Sequence, residues 1–198
     1  MIEVNNLHKG FGGVKVLKGI STTFLPGKTS LIIGESGSGK TVFLKSLIGL
    51  HAPEDGTISF DGRINTKFTQ KEKQQWRQEI GMVFQGSALF DSQTVEDNVM
   101  FPLKMFTNKM HDEMLERVNF VLKRVNLENS NHKLPAELSG GMQKRVAIAR
   151  AIVMNPKYLF CDEPNSGLDP RTAIVIDQLI QEITDEYQIT TVINTHDM

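Results

Sequence analysis

An α/β fold built on a parallel sheet is predicted by three features of the sequence. An apolar run, Tyr158 to Cys161, and a β-branched run, Thr191 to Thr195, flank a helical stretch from about Pro170 to Tyr187, which is a βαβ pattern. A strand from Thr29 to Ile33 passes through a glycine-rich turn into an apolar-periodic helix, Val42 to Leu50. Between them, from about Val95 to Ile152, the apolar period is helical.

Taken in chain order, the first element is a short strand, Ile2 to Val4, followed by the strand Thr29 to Ile33. The segment Gly56-Thr57-Ile58-Ser59-Phe60-Asp61-Gly62 alternates between glycines and predicts an edge hairpin, hence a small antiparallel β subdomain. A polar helix around Lys71 to Arg77 precedes a strand from Ile80 to Phe84. Met114, Val118, Val121, Leu122 and Val125 then share one helical face, and Pro135 separates that helix from the next. We therefore expect one domain: residues 1–90 and 155–198 as the α/β core, and 91–154 as an inserted helical subdomain.

Composition narrows the function. The 198 residues are 39% hydrophobic and 23% charged, which suits a single packed core. Lys plus Arg (22) nearly balance Asp plus Glu (23), so no basic field gathers phosphate backbone and no nucleic-acid partner is expected. The single cysteine, Cys161, cannot close an internal disulfide, and Met1 to Asn5 lack the charged start and apolar run of a secretion signal, so a cytoplasmic setting is expected. No apolar stretch approaches the roughly 20 residues that cross a bilayer, so contact with a membrane is expected only through a partner.

Two motifs carry chemistry. Gly34-Glu35-Ser36-Gly37-Ser38-Gly39-Lys40-Thr41 fits the phosphate-loop pattern, and it follows a strand and opens a helix at Val42, as the mechanism requires. Its glycines let backbone N–H groups wrap phosphate and the helix N-terminus adds partial positive charge. Lys40 reaches the β and γ phosphates of a nucleotide such as ATP, and Thr41 offers a hydroxyl to Mg²⁺. Tyr158-Leu159-Phe160-Cys161-Asp162-Glu163-Pro164 is a buried-strand run ending in two carboxylates, at the strand end where open α/β sheets bind ligands. Asp162 is placed to hold the Mg²⁺ shell, and Glu163 to orient or deprotonate an attacking water. With nothing basic beside it, Cys161 reads as a small buried hydrophobe.

A third motif, Leu138-Ser139-Gly140-Gly141-Met142-Gln143-Lys144-Arg145, sets a good N-cap before two glycines and a helical stripe of Met142, Val146, Ala149 and Val153. Such a helix N-terminus is open to an anion, yet the chain's own phosphate loop already cradles one nucleotide. These residues resemble the signature motif of the ABC ATPases. In that family Ser139, Gly140 and Gly141 would complete the ATP site of a second copy in a head-to-tail dimer. The resemblance covers essentially the whole chain and implies a P-loop NTPase fold, ATP hydrolysis with Mg²⁺, and attachment to a membrane permease on the cytoplasmic face of a bacterial inner membrane. It further implies an adenine contact for Phe11, a Mg²⁺ and water contact for Gln85, a nucleotide-site role for Asp169 in Ser166-Gly167-Leu168-Asp169, and a γ-phosphate sensor in His196. Two departures stand out: Met142 replaces the usual signature glutamine, and the chain stops at Met198, where relatives continue, which implies a C-terminally truncated domain.

The stretch from Val83 to Leu103 is similar to the corresponding region of the MlaF-like ATPases of MCE lipid transporters. That resemblance makes Gln85 to Leu103 a permease-docking groove and lipid the cargo. The residues alone also allow Ala88, Leu89, Phe90, Val95, Val99 and Phe101 to be core of the helical insert. Another ABC importer or exporter, or a cell-division or assembly ATPase, is the alternative. DNA-organising relatives are disfavoured because no long coiled coil separates Lys40 from Ser139.

Overall fold

We describe residues 1–195 of a computed structural model. Its first layer is an antiparallel sheet of β1 (Ile2–Phe11), β2 (Val14–Phe24), β4 (Asp55–Phe60) and β5 (Arg63–Ile64), in the order β2-β1-β4-β5. Its second is a parallel sheet of β3 (Lys28–Ile33), β6 (Ile80–Val83), β7 (Tyr158–Asp162) and β8 (Thr190–Thr195), in the order β3-β8-β7-β6. The helices are α1 (Lys40–Leu47), α2 (Gln70–Gln78), α3 (Val95–Phe106), α4 (His111–Arg124), α5 (Gly140–Ile152) and α6 (Pro170–Tyr187).

The inner strands of the parallel sheet are covered on both faces, which is why β7 and β8 are nearly continuous apolar or β-branched runs. Successive side chains alternate sides. Tyr158, Phe160 and Val192 pack with Phe43, Leu44 and Leu47 of α1 and with the antiparallel sheet. Leu159, Cys161 and Ile193 pack with α3 to α6. Each fully buried aliphatic or aromatic side chain contributes about 1.5–3 kcal/mol, so these two clusters fix where the loops at the sheet's carboxyl edge emerge. Tyr158 also ties the two sheets together, its hydroxyl donating to Asp61 Oδ2 at 2.5 Å.

The expected hairpin forms, with β4 and β5 turning at Asp61 and Gly62, both at positive φ. The N-terminal strand is longer than the three residues expected, and β2 carried no recognised signal. Polar residues interrupt both strands. Left-handed Asn6 and three register shifts between β1 and β2 also break the period of two that marks a strand. Strand β6 ends at Val83, one residue short of expectation, and the helical block resolves into three helices, with Pro135 in a short turn before α5.

Helix α5 approaches β6 closely. A Cβ on Gly81 would meet the carbonyl oxygen of Ala151 at 2.5 Å, so only glycine lets the helix lie this close to the strand. That contact seats the last turn of α5 against β6.

Candidate functional site

The loop from Gly34 to Gly39 joins β3 to α1. Gly37 and Gly39 are at φ 80° and 98°, a region closed to most side chains, and α1 has no side-chain cap at Gly39. The helix thus begins with uncapped backbone donors and partial positive charge, an anion site by construction. Lys40 is buried, and its ammonium donates to the carbonyls of Gly34 at 2.5 Å and Glu35 at 2.9 Å, so it lies folded under its own loop. Gly34, Glu35, Ser36, Thr41, Gln85 and Glu163 line one cleft of about 760 Å³ with Ile33.

The two carboxylates at the end of β7 behave differently. Asp162 Oδ1 accepts from the Asn194 amide at 2.6 Å, and the same Nδ2 donates to the Thr41 hydroxyl at 3.3 Å. Thr41 and Asp162, expected to share a cation, are therefore bridged by one fully buried amide. Glu163 sits at φ 47°, a left-handed conformation that costs a non-glycine residue about 1–2 kcal/mol. Its N–H is held by the Asn194 carbonyl at 2.9 Å, which turns the side chain out of the strand. Gln85 Nε2 donates to Glu163 Oε2 at 2.8 Å and to Ser166 Oγ at 3.2 Å.

The loop carrying Gln85 is itself held from α5. Lys144, buried, donates to the Gln85 carbonyl, and burial lowers its pKa while Glu163 opposes that shift. Arg150 donates to the carbonyls of Ser87 at 2.7 Å and Ala88 at 2.8 Å, two consecutive residues at positive φ. The helix opened by Ser139, Gly140 and Gly141 therefore grips the loop that reaches Glu163. Burial also pushes the Cys161 thiol well above its ordinary value, which fits an inert core residue.

Other expected site residues lie elsewhere. Ser139 caps α5 by accepting from the Met142 N–H at 3.3 Å, and Ser139 and Gly141 line a second cleft with Asn126, Glu128 and Thr172. A Cβ on Gly141 would meet Thr172 Cγ2 at 2.6 Å. Asp169 is the N-cap of α6, accepting from the N–H groups of Arg171 and Thr172, and the Thr172 bond foremost holds its carboxyl below the usual range. Phe11, 46% exposed at the end of β1, rests edge-on against His51 with the Lys9 ammonium 5.1 Å from its ring. Val42 follows in the first turn of α1, and His196 lies outside the described residues.

The apolar set after Gln85 divides. Val95 and Val99 are fully buried and Leu89 packs against the core, so for these three the docking reading is corrected: they hold α3 in place. Ala88, Phe90 and Phe101 instead line an open groove with Phe84, Pro102 and Arg150. Buried Asn98 shapes the groove's rim, accepting from the Phe90 N–H and donating to the carbonyls of Phe90, Gln93 and Thr94. Asn194 was not anticipated, nor were the contacts of Lys144 and Ser166, quoted only within their motifs, with Gln85. For Asn194 the signal was present: an amide inside a Val-Ile run at a core position.

The donor set fits ATP and Mg²⁺. An uncapped helix N-terminus with room above Gly37 suits phosphate. A hydroxyl, one carboxylate and an amide suit a cation that takes few protein ligands and fills its shell from phosphate and water. Among the described residues no helix is long and apolar enough to cross a membrane.

Comparison with known proteins agrees. The family model described as ABC transporter matches residues 17–166. The chain is 43% identical over 197 residues to the probable ribonucleotide transport ATP-binding protein mkl of Mycobacterium tuberculosis, covering 100% of this chain and 55% of that protein. It is 42% identical over 198 residues to the methionine import ATP-binding protein MetN of Clostridium tetani, covering 100% of this chain and 62% of that protein. The chain thus spans little more than half the length of these relatives. Among solved structures, a bacterial ABC transporter cassette in dimeric form aligns with a TM-score of 0.88 at 34% identity, over 100% of this chain and 88% of that one. The cbiO1 protein of Clostridium perfringens, part of the cbiONQ transporter complex, aligns at 0.90 and 36% identity over 99% of this chain and 78% of its own. A phosphate loop on α1, paired carboxylates at the end of β7, a glycine-opened helix facing a separate cleft and these matches together place the chain in the ABC transporter family.

Proposed function

We propose that the chain is the ATP-hydrolysing subunit of a membrane transporter, in which two copies close head to tail around their nucleotides and a permease rides on the groove beside α3. The observation that carries this reading is the bond from Gln85 to Glu163. It joins the segment that lines the groove to the residue set to activate water.

The chemistry assigned to the residues follows from their placement. Uncapped N–H groups at the start of α1 and the Lys40 ammonium bind and orient the β and γ phosphates. Thr41 and Asp162, with Gln85, would hold Mg²⁺, which would supply positive charge against that of the phosphates. Glu163 orients the attacking water and accepts its proton, a role open to it once Gln85 releases its carboxylate. Ser139 and Gly141, in a cleft apart from the chain's own phosphate loop, with Gly140 between them in sequence, serve the partner's nucleotide. Residues 91–154 act as the helical subdomain, and 1–90 with 155–198 as the catalytic core.

For the cargo, similarity of Val83 to Leu103 to the MlaF-like ATPases favours a lipid, moved at the cytoplasmic face of a bacterial inner membrane. The names of the relatives above favour a second reading, import of a small solute.

The groove decides whether this coupling exists. Phe90 and Phe101 meet edge to face at 4.9 Å and are 39% and 37% exposed, so a charge there stays wet. Phe90→Glu and Phe101→Glu are each expected to abolish co-purification with the permease while leaving the protein folded, with a stability loss of about 1–3 kcal/mol from the half-buried ring and its aromatic pair. If both variants fold and still bind the permease, this docking site is wrong. Stimulation of ATP hydrolysis in the assembled transporter by phospholipid, against a ribonucleotide or methionine, separates the two cargo readings.

A further inference from the structure

Three residues of the nucleotide site converge on Asn194, to which the sequence motifs assign no role. Its side-chain Nδ2 donates to Asp162 Oδ1 at 2.6 Å and to Thr41 Oγ1 at 3.3 Å, and its main-chain carbonyl accepts from the Glu163 N–H at 2.9 Å. The residue is fully buried on β8, paired in register with Asp162 on one side and Ile32 on the other. Its Oδ1 has no hydrogen-bond partner. The amide's orientation is set by chemistry, because the reverse would press Oδ1 against a carboxylate oxygen.

An amide with an unpartnered oxygen is unfavourable at a fully buried strand position, and an aliphatic side chain there would not carry that penalty. What an aliphatic residue lacks is the donor. We propose that Asn194 is a positioning residue for the cation of the nucleotide site, its NH₂ group holding Asp162 and Thr41 together as a pair. The partial positive charge of that group stands between two oxygens that a cation would otherwise have to gather. It occupies one carboxylate oxygen of Asp162 and leaves the other for the cation's shell. Groups that orient metal ligands in this way change affinity for the metal far more than they change the fold.

The inference rests on the reading of the cleft as an ATP and Mg²⁺ site. The test is a titration of the full chain with Mn²⁺, a paramagnetic stand-in for Mg²⁺, at saturating ATP, alongside ATP binding in EDTA and the melting temperature. Asn194→Leu, of the same branched shape without the donor, is expected to weaken Mn²⁺ binding about tenfold. It should also leave ATP affinity in EDTA within about twofold, with the protein still folded. Asn194→Asp sets a second carboxylate against Asp162. It should lower the melting temperature without a cation and show a larger Mn²⁺-induced rise than the natural protein, and it decides the question if Asn194→Leu does not fold. Unchanged Mn²⁺ affinity in Asn194→Leu, or an equal loss of ATP affinity in EDTA, overturns the proposal. So does a Mn²⁺-induced rise in Asn194→Asp no larger than the natural one. A natural protein that takes up no Mn²⁺ with ATP overturns the nucleotide-site reading itself.

Discussion

Glu163→Gln is expected to lower the rate of ATP hydrolysis about 10²–10³-fold and to leave ATP affinity within about twofold, because a positioned general base contributes on that scale and takes no part in cradling phosphate. The substitution preserves shape. Glutamine can keep the left-handed backbone and the N–H bond to the Asn194 carbonyl, and it can still pair with Gln85. What it loses is the carboxylate that accepts a proton from water. Steady-state phosphate release and equilibrium ATP binding, measured on the permease-bound protein, separate the two effects. Turnover within about fivefold of the natural rate would remove Glu163 from the mechanism.

Lys40→Ala acts on the other half of the cycle. A charge-assisted hydrogen bond is worth about 1.5–3 kcal/mol, so ATP should bind roughly 10- to 150-fold more weakly. The ammonium donates to the carbonyls of Gly34 and Glu35, so it must leave them to meet phosphate, and the measured loss will be net of that exchange. Calorimetric titration with ATP checks it. An unchanged affinity would mean that Gly34 to Thr41 is not the phosphate cradle.

The strand–loop–helix of the nucleotide cradle and the βαβ unit were legible because both rest on local signals, a period and a glycine pattern, that tertiary contacts did not override. The long β1–β2 pair was not. Its exposed face is polar and its bulges break the alternation, so only the first three residues of β1 read as strand. The segment after Gln85 gave an even choice between core and surface because both outcomes occur. Val95 and Val99 turn inward from α3, whereas Phe101 faces outward from the same helix and Phe90 lies on the loop that Asn98 holds. The grip of Lys144 and Arg150 on the Gln85 loop joins residues about 60 positions apart, and no local pattern encodes it. Asn194 is the instructive case: an amide is a poor strand former among threonines, Val192 and Ile193, and it fell beside the cation ligands.

The claim on which the rest depends is that each nucleotide site is completed by a second copy, since Ser139 and Gly141 line a cleft apart from Gly34 to Thr41 of the same chain. Mixing two defective variants tests it directly. Lys40→Ala disables the cradle, and Ser139→Asp keeps a good N-cap for α5 while setting a negative charge toward the partner's phosphate. Each variant alone should be nearly inactive. If sites are shared, every mixed dimer holds one intact site, and an equal mixture should recover about a quarter of the natural hydrolysis rate under random two-fold pairing. A mixture no more active than its two components would contradict the shared site and place cradle and signature in the service of one chain.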